Sequence, residues 1–287
     1  MSTLDNSPDE NTYFIDAENA AEMARLTTQD RLTTKGMGGL FPAQSDLSGV
    51  RDVLDIACGP GGWVLDVAQA YPDKQVMGVD ISRLMVEYAK AQAREKSLSN
   101  AHFQVMDALK PLGFPDNSFD MVNARFISGF LPRAIWPGFI KETMRITRSG
   151  GIICLTESEW NLTNSQASEK IMGLLARALQ TAGLSFSPDG RHVGITPMLG
   201  RLLRDGGCTN VQSKAHMVDF SWGMEGHTSN YQNSMVFFKL IQPFLINAHV
   251  TTKEEVEQLY QQALMEMQSE DFTGIFFFLS AWGNKPS

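Results

Sequence analysis

The stretch that most constrains the fold runs from Val53 to Val67 and reads VLDIACGPGGWVLDV. Its first four residues, mainly apolar, predict a buried strand, and the glycines after them predict a tight turn. Apolar residues then recur at the spacing of one helix face. A glycine turn lets backbone approach a ligand closely, and the following helix points amide groups and its positive dipole end at that ligand. The stretch therefore predicts a site for an anionic or highly polar ligand, although a purely structural turn would show the same residues.

Strands alternate with helices along the chain from residue 51. The predicted strands that alternate with helices are 53–56, 75–79, 102–105, 119–123 and 152–156. This alternation predicts a parallel sheet covered by helices on both faces. Two later segments, 211–220 and 273–282, also read as strands, the second as a buried one.

Three units are predicted along the chain. Residues 1–48 form an N-terminal helical arm, with helices expected over 16–26 and 28–37. Residues 49–224 together with 272–287 form the core, and residues 225–271 form a helical lid insertion. The lid is expected to hold helices over 230–247 and 252–269, and Thr251-Thr252 before two glutamates is typical of a helix start.

Charge and cysteine content narrow the function classes. The 287 residues carry a net charge of −8, which argues against a nucleic acid bound through a general basic field. The three cysteines are widely spaced and form no CxxC pair, so neither disulfides nor a metal site is expected, and a reducing cytoplasm is favoured. The start of the chain is polar and shows no signal peptide, and the longest apolar run, 235–246, is too short to span a bilayer.

Polar residues close three successive strands. Asp80 ends the second strand, where a carboxylate accepts hydrogen bonds from both hydroxyls of a ribose, or alternatively caps a helix beside Ser82. Asp107 ends the third strand, and with the adjacent amide of Ala108 it could read the amino edge of adenine, although a surface aspartate needs no such role. Asn123 ends the fourth strand, where ligands meet the sheet in open α/β folds.

The order of four segments makes the pattern specific. They read VLDIACGPGG, VMGVDIS, VMDALKPLGFPDNSFDMVNA and MRITRSGGIICLTE. Together they resemble the ordered motifs of class I S-adenosylmethionine-dependent methyltransferases over roughly residues 50–160. The final FFFLSAWGNKP resembles the last strand of that family, antiparallel and expected here at the sheet edge. The resemblance implies an α/β fold: a doubly wound, mostly parallel, Rossmann-like seven-stranded sheet with an antiparallel last strand, N-terminal helices and a lid.

The resemblance also implies S-adenosyl-L-methionine as cofactor and S-adenosyl-L-homocysteine as product. The implied cofactor-binding residues lie at or just after the ends of the first four strands: Asp55, Ala57, Gly59, Gly61, Asp80, Ile81, Met85, Asp107, Ala108 and Asn123. Among them, Asp80 would hold the ribose, Asp107 the adenine edge, and the backbone carbonyl of Asn123 the ammonium group. Ala57 stands where the family usually has glycine.

An acceptor site is expected where the N-terminal arm, the strand ends and the lid converge over the methyl group. Its candidate residues are Tyr13, Arg125, Phe126, Trp160, His192, Tyr231 and the helix carrying Phe237 and Phe238. His192 and Glu157 are the candidate catalytic bases, although some nucleophiles need none. The aromatic lid suggests a small apolar or aromatic acceptor, but the same side chains could merely pack the lid.

Two other function classes stay open at this point. A nicotinamide oxidoreductase would share the glycine turn and the strand-two carboxylate, but Val64 occupies the third glycine position of its fingerprint. A protein that binds the cofactor without transferring it would keep the same motifs. A nucleic-acid methyltransferase is disfavoured because the fourth strand ends in NARF rather than NPPY. Lids of this kind sometimes pair between subunits, which leaves a homodimer open.

Overall fold

The computed structural model describes residues 13–41 and 47–287, apart from the side chain of Trp160. Its sheet has the order β3-β2-β1-β4-β5-β7-β6. The strands are β1 (Asp52–Ile56), β2 (Gln75–Asp80), β3 (Ala101–Val105), β4 (Phe119–Arg125), β5 (Thr147–Thr163), β6 (Thr209–Asp219) and β7 (Gly274–Asn284). Strands β1 to β5 pair in parallel, and β7 runs antiparallel to both β5 and β6. The predicted fold class is confirmed, but β7 is not at the sheet edge, because β6 pairs along its outer side.

Helices cover both faces of this sheet. They are α1 (Ala20–Gly36), α2 (Gly62–Ala70), α3 (Arg83–Glu95), α4 (Trp136–Ile146), α5 (Gln166–Thr181), α6 (Leu199–Asp205), α7 (His227–Leu240), α8 (Gln242–Asn247) and α9 (Lys253–Glu266). Neighbouring strand residues point to opposite faces. Val53 of β1 therefore packs in the cluster that holds α2 and α3, whereas Leu54 packs in the cluster that holds α4 and α6.

Two helix starts lie where the sequence places them. The hydroxyl of Ser82 accepts from the N–H of Met85 at 3.1 Å and caps α3. The hydroxyl of Thr252 accepts from the N–H of Glu255 at 3.1 Å and caps α9. Both contacts satisfy an amide that has no partner inside its helix, which is why these residue types mark helix starts.

Three boundaries differ from the prediction. The two helices expected before residue 38 form the single helix α1, in which the hydroxyl of Thr27 bonds back to the carbonyl of Met23 at 2.9 Å and does not break the turn. The helix expected over 230–247 is divided into α7 and α8, because Pro243 has no amide to donate and begins a new helix. Strand β5 covers Thr147–Thr163 and so extends beyond the expected 152–156 at both ends.

The predicted lid, residues 225–271, carries α7, α8 and α9 between β6 and β7. Its apolar side chains form a third cluster that also takes in α5. Helix α5, predicted as part of the core, therefore packs its apolar face on the lid. No helix in the described part of the chain is long and apolar enough to cross a membrane.

Candidate active site

The turn between β1 and α2 bends through three residues with positive φ: Ala57 at 57°, Gly59 at 55° and Gly61 at 80°. Gly61 caps α2, and a β-carbon there would lie 2.6 Å from the ring of Phe103. Only glycine fits that position. Ala57 carries a β-carbon in the left-handed region, which costs about 1–2 kcal/mol, so the departure from glycine places backbone strain next to the site.

Asp80 ties this turn to the end of β2. Its Oδ2 accepts from the N–H of Gly59 at 2.8 Å, and its Oδ1 accepts from the N–H of Ser82 at 2.9 Å. Burial raises the pKa of Asp80, and the two amides act in the opposite direction. Each carboxylate oxygen has a second lone pair. Asp80 therefore holds the turn between β1 and α2 in place and can still accept hydrogen bonds from two hydroxyl groups of a ligand.

Asp55 and Asn123 form a buried polar pair across β1 and β4, where they lie in register. The Nδ2 of Asn123 donates to Oδ1 of Asp55 at 2.8 Å. Burial raises the pKa of Asp55 to about 7, against the attraction of the Arg125 guanidinium. The side chain of Asn123 thus orients Asp55, and Asn123 itself is not among the described residues that line the cavity above it.

A cavity of about 1090 Å³, counting the part open to solvent, lies over the glycine turn. Most of the predicted cofactor-binding residues line it: Asp55, Ala57, Gly59, Asp80, Ile81, Met85, Asp107 and Ala108. Gly61 shapes the turn rather than the wall. The Oδ1 of Asp107 accepts from the N–H of Leu109 at 2.9 Å, and the same carboxylate pairs with Lys110 at 3.1 Å. Cys58, Met106 and Leu109, which were not predicted as cofactor-binding residues, also line this cavity.

Arg125 and Asp30 form a largely buried ion pair on the wall of the same cavity. The Nη2 of Arg125 donates to Oδ1 of Asp30 at 2.5 Å, and the guanidinium lies 5.6 Å from the ring centroid of Trp63. The Nε of Arg125 is buried and has no hydrogen-bond partner among the described residues. The sequence predicted Arg125 in the acceptor site, and the structure places it beside the glycine turn. Asp30 was missed because α1 precedes every motif.

A second cavity, of about 1110 Å³ counting its open part, adjoins the first, and the two share four wall residues: Tyr13, Leu26, Gln29 and Phe126. Helices α1, α5 and α7 and the ends of β4 to β7 form the rest of its wall. The walls are mainly apolar, and Phe237 and Phe238 contribute as expected. Phe126 has a φ of 58°, a strained value for a residue with a side chain, at the boundary between the two cavities.

Glu157 and Glu159 of β5 both line this second cavity, and Glu157 is the buried carboxylate of the two. Its Oε1 accepts from the N–H groups of Ile127 at 2.7 Å and Ser128 at 3.1 Å, and its Oε2 accepts from the Ser128 hydroxyl at 2.6 Å. Only 1% of Glu157 is exposed, and burial raises its pKa to about 7 against these three donors. A carboxyl group with such a pKa can accept a proton near neutral pH.

The other acceptor candidates are distributed differently. Tyr13 and Phe126 line both cavities. His192 is exposed in the loop before Thr196 and lines neither cavity, so its placement gives no support to a catalytic role. Tyr231 stacks with His227 at 6.5 Å and packs against the lid cluster instead. The side chain of Trp160 lies outside the described residues. No group of three potential metal ligands occurs in the described ranges.

Comparison with known proteins gives the class. Residues 53–151 match the family described as Methyltransferase domain. A demethylmenaquinone methyltransferase of Geobacillus sp. (strain WCH70) is 31% identical over 187 residues, which are 62% of this chain and 79% of that protein. The aklanonic acid methyltransferase DauC of Streptomyces sp. (strain C5) is 39% identical over 105 residues, 36% of this chain and 46% of that protein. The chain belongs to the class I S-adenosylmethionine-dependent methyltransferases.

The fold comparison agrees with this class. A solved structure of a Haemonchus contortus phosphoethanolamine N-methyltransferase, with phosphomonomethylethanolamine and S-adenosylhomocysteine, matches with a TM-score of 0.56 at 15% identity. The match covers 96% of this chain and 61% of that one. At that identity it shows the shared fold. The chain spans about half the length of most of the curated relatives that it matches.

Proposed function

We propose that this protein transfers the methyl group of S-adenosylmethionine to a small acceptor that is largely apolar or aromatic. The observation that carries the proposal is the contact between the two cavities. One has carboxylates and backbone amides at the end of a parallel sheet, and the other has apolar walls and the buried carboxyl of Glu157. Tyr13, Gln29 and Phe126 lie at the boundary, where donor and acceptor would meet.

The residues of the first cavity fit the cofactor of this class. Asp80 has lone pairs for the two ribose hydroxyls, and Asp107 can accept from the adenine amino group. Ile81 and Met85 offer apolar surface for the adenine ring. When bound, S-adenosylmethionine would supply a methyl group activated by its positively charged sulfur.

The amino-acid end of the cofactor also has complementary partners. Asp55 can attract an ammonium group, and its raised pKa would fall beside that charge. Arg125 lies on the same wall, and its guanidinium, which is paired with Asp30, can also attract the carboxylate of the cofactor. The first pairing supports the prediction for Asp55, whereas the second gives Arg125 a cofactor-binding role in place of its predicted role in the acceptor site.

Glu157 is proposed as the general base where the acceptor is a hydroxyl compound. Its Oε2 accepts one hydrogen bond from Ser128 and retains a lone pair for the acceptor proton. A base with a pKa near the working pH typically contributes about 10²- to 10⁴-fold. The larger contribution of the chain is to hold nucleophile and methyl group close and in line.

The acceptor class follows from the walls and from the relatives. Apolar and aromatic side chains dominate the second cavity, and the matched relatives are named for demethylmenaquinone and aklanonic acid. The net charge of −8 argues against a nucleic-acid partner. The free thiols of Cys58, Cys154 and Cys208 suit a cytoplasmic location. A homodimer remains an expectation.

The proposal is tested by turnover. The protein is incubated with S-adenosylmethionine and a panel of hydroxylated ring compounds, while release of S-adenosylhomocysteine and gain of one methyl group are followed by mass spectrometry. We expect product with at least one member and a rate that rises as the pH passes about 7, where Glu157 loses its proton. Glu157→Gln should slow the reaction at least tenfold and remove that rise.

A second variant separates a base from a structural carboxylate. Ser128→Ala removes one donor to Glu157, so the pKa of Glu157 and the midpoint of the pH profile should both move upward. Absence of product with every acceptor, from protein that binds S-adenosylhomocysteine, would refute the transfer and favour a binding protein without turnover.

A further inference from the structure

A buried ion pair fixes Arg25 at the wall of the second cavity. The Nε of Arg25 donates to Oε2 of Glu22 at 2.7 Å, and its Nη2 donates to Oε1 at 2.6 Å. The side chains are 4% and 0% exposed. The two parallel bonds hold the guanidinium in one orientation and neutralise its charge. Arg25 therefore enters the cavity as a positioned donor rather than as a free cation.

The remaining donors of Arg25 orient two carboxamides. Its Nη1 donates to Oε1 of Gln29 at 2.5 Å and to Oδ1 of Asn233 at 3.1 Å. A guanidinium has donors only, so each amide must turn its oxygen towards Arg25 and its NH₂ group away. Gln29 and Asn233 both line the second cavity, and their carboxamide oxygens are the atoms that Arg25 binds.

We infer that Gln29 and Asn233 donate hydrogen bonds to an uncharged carbonyl oxygen on the acceptor. The inference rests on the proposed function and deepens it. Two NH₂ donors carry no net charge and suit a neutral oxygen, because burying a carboxylate or phosphate without a charged partner is costly. Arg25 is paired with Glu22, and its guanidinium lies 5.2 Å from the ring centroid of Phe237. The carboxamides that Arg25 orients therefore lie next to an apolar side chain.

The test compares two ligands that differ by one carbonyl. Protein saturated with S-adenosylhomocysteine is titrated with 1-indanone and with indane, and the two Kd values are measured by ligand-observed NMR. Asn233→Asp and Asn233→Leu are near-isosteric changes that both remove the NH₂ group, one with an added charge and one without. In both variants the preference for 1-indanone over indane should fall roughly five- to tenfold, the value of one hydrogen bond.

The controls separate this inference from the proposed function. Gln232→Glu adds a charge on the exposed face of α7, next to Asn233 in sequence, and should leave the preference unchanged. An unchanged preference in both Asn233 variants, or failure of the wild-type protein to bind 1-indanone while it binds S-adenosylhomocysteine, would overturn the inference alone. Failure to bind S-adenosylhomocysteine would instead overturn the proposed function.

Discussion

Gly61→Ala tests why the turn after β1 needs glycine, and Gly38→Ala is its matched control. Both glycines have a φ of 80°. A β-carbon on Gly61 would lie 2.6 Å from the ring of Phe103 and 2.8 Å from the β-carbon of Ala89, whereas one on Gly38 would meet no described atom within 4 Å. The pair therefore separates backbone strain from steric overlap.

The two costs can be estimated separately. Alanine in the left-handed region lowers the free energy of unfolding by about 1–2 kcal/mol. Alanine also reduces the conformational entropy of the unfolded chain, which raises the free energy of unfolding by about 0.4–1 kcal/mol. Gly38→Ala should therefore lower the free energy of unfolding by about 1 kcal/mol or less. At Gly61, overlap with the buried Phe103 and Ala89 adds about 1–3 kcal/mol, for a total of roughly 1–4 kcal/mol.

The assay is urea denaturation followed by tryptophan fluorescence, with both variants and the wild type measured at one pH. The free energy of unfolding is extrapolated to water for each. Equal losses in the two variants would refute the steric argument, because only the contacts of Gly61 with α3 and β3 distinguish the two sites. A loss larger at Gly61 by at least about 1 kcal/mol would support it.

Two further predictions concern buried charge. The folded protein holds a proton on Asp55 up to a pH of about 7, whereas the unfolded chain releases it near 3.8, so this group makes the free energy of unfolding fall as the pH rises between those values. Asp55→Asn should therefore make the free energy of unfolding depend less steeply on pH. Denaturation at several pH values measures this dependence, and an unchanged slope in the variant would contradict the reasoning. Asp30→Ala should lower the free energy of unfolding by about 3–5 kcal/mol because it leaves Arg125 buried without its partner. The control Glu225→Ala breaks an exposed pair with Lys35 and should lower it by less than about 1 kcal/mol. Similar losses for the two variants in thermal or urea unfolding would contradict this contrast.

Local patterns predicted the elements that rest on nearest neighbours in the chain. The glycine turn, the cap at Ser82 and the ends of β2 and β3 were predicted from residues within a few positions of each other. Parallel strand ends meet at one sheet edge, so the position of Asp80 and Asp107 on one cavity followed from their order alone.

Contacts between distant segments could not be predicted in that way. The pair of Asp30 with Arg125 joins α1 to the end of β4, and the bond from Arg25 to Asn233 joins α1 to the lid. Neither α1 nor α7 contains a sequence motif that identifies the segment it packs against. Tertiary packing therefore decides which polar residues of these helices face a cavity. For the same reason His192 could not be assigned to a cavity or to the surface from its loop sequence.

The most direct test of the central claim is calorimetric titration with S-adenosylhomocysteine. We expect the wild-type protein to bind and Asp80→Ala to weaken binding roughly tenfold or more, since hydrogen bonds to a charged group are lost. Asp80→Asn, which keeps one oxygen for the turn, should bind with intermediate affinity, and Asp116→Ala on the surface should bind as the wild type does. Absence of wild-type binding at millimolar ligand, or equal affinity in the wild type and Asp80→Ala, would contradict the assignment of this cavity to the cofactor.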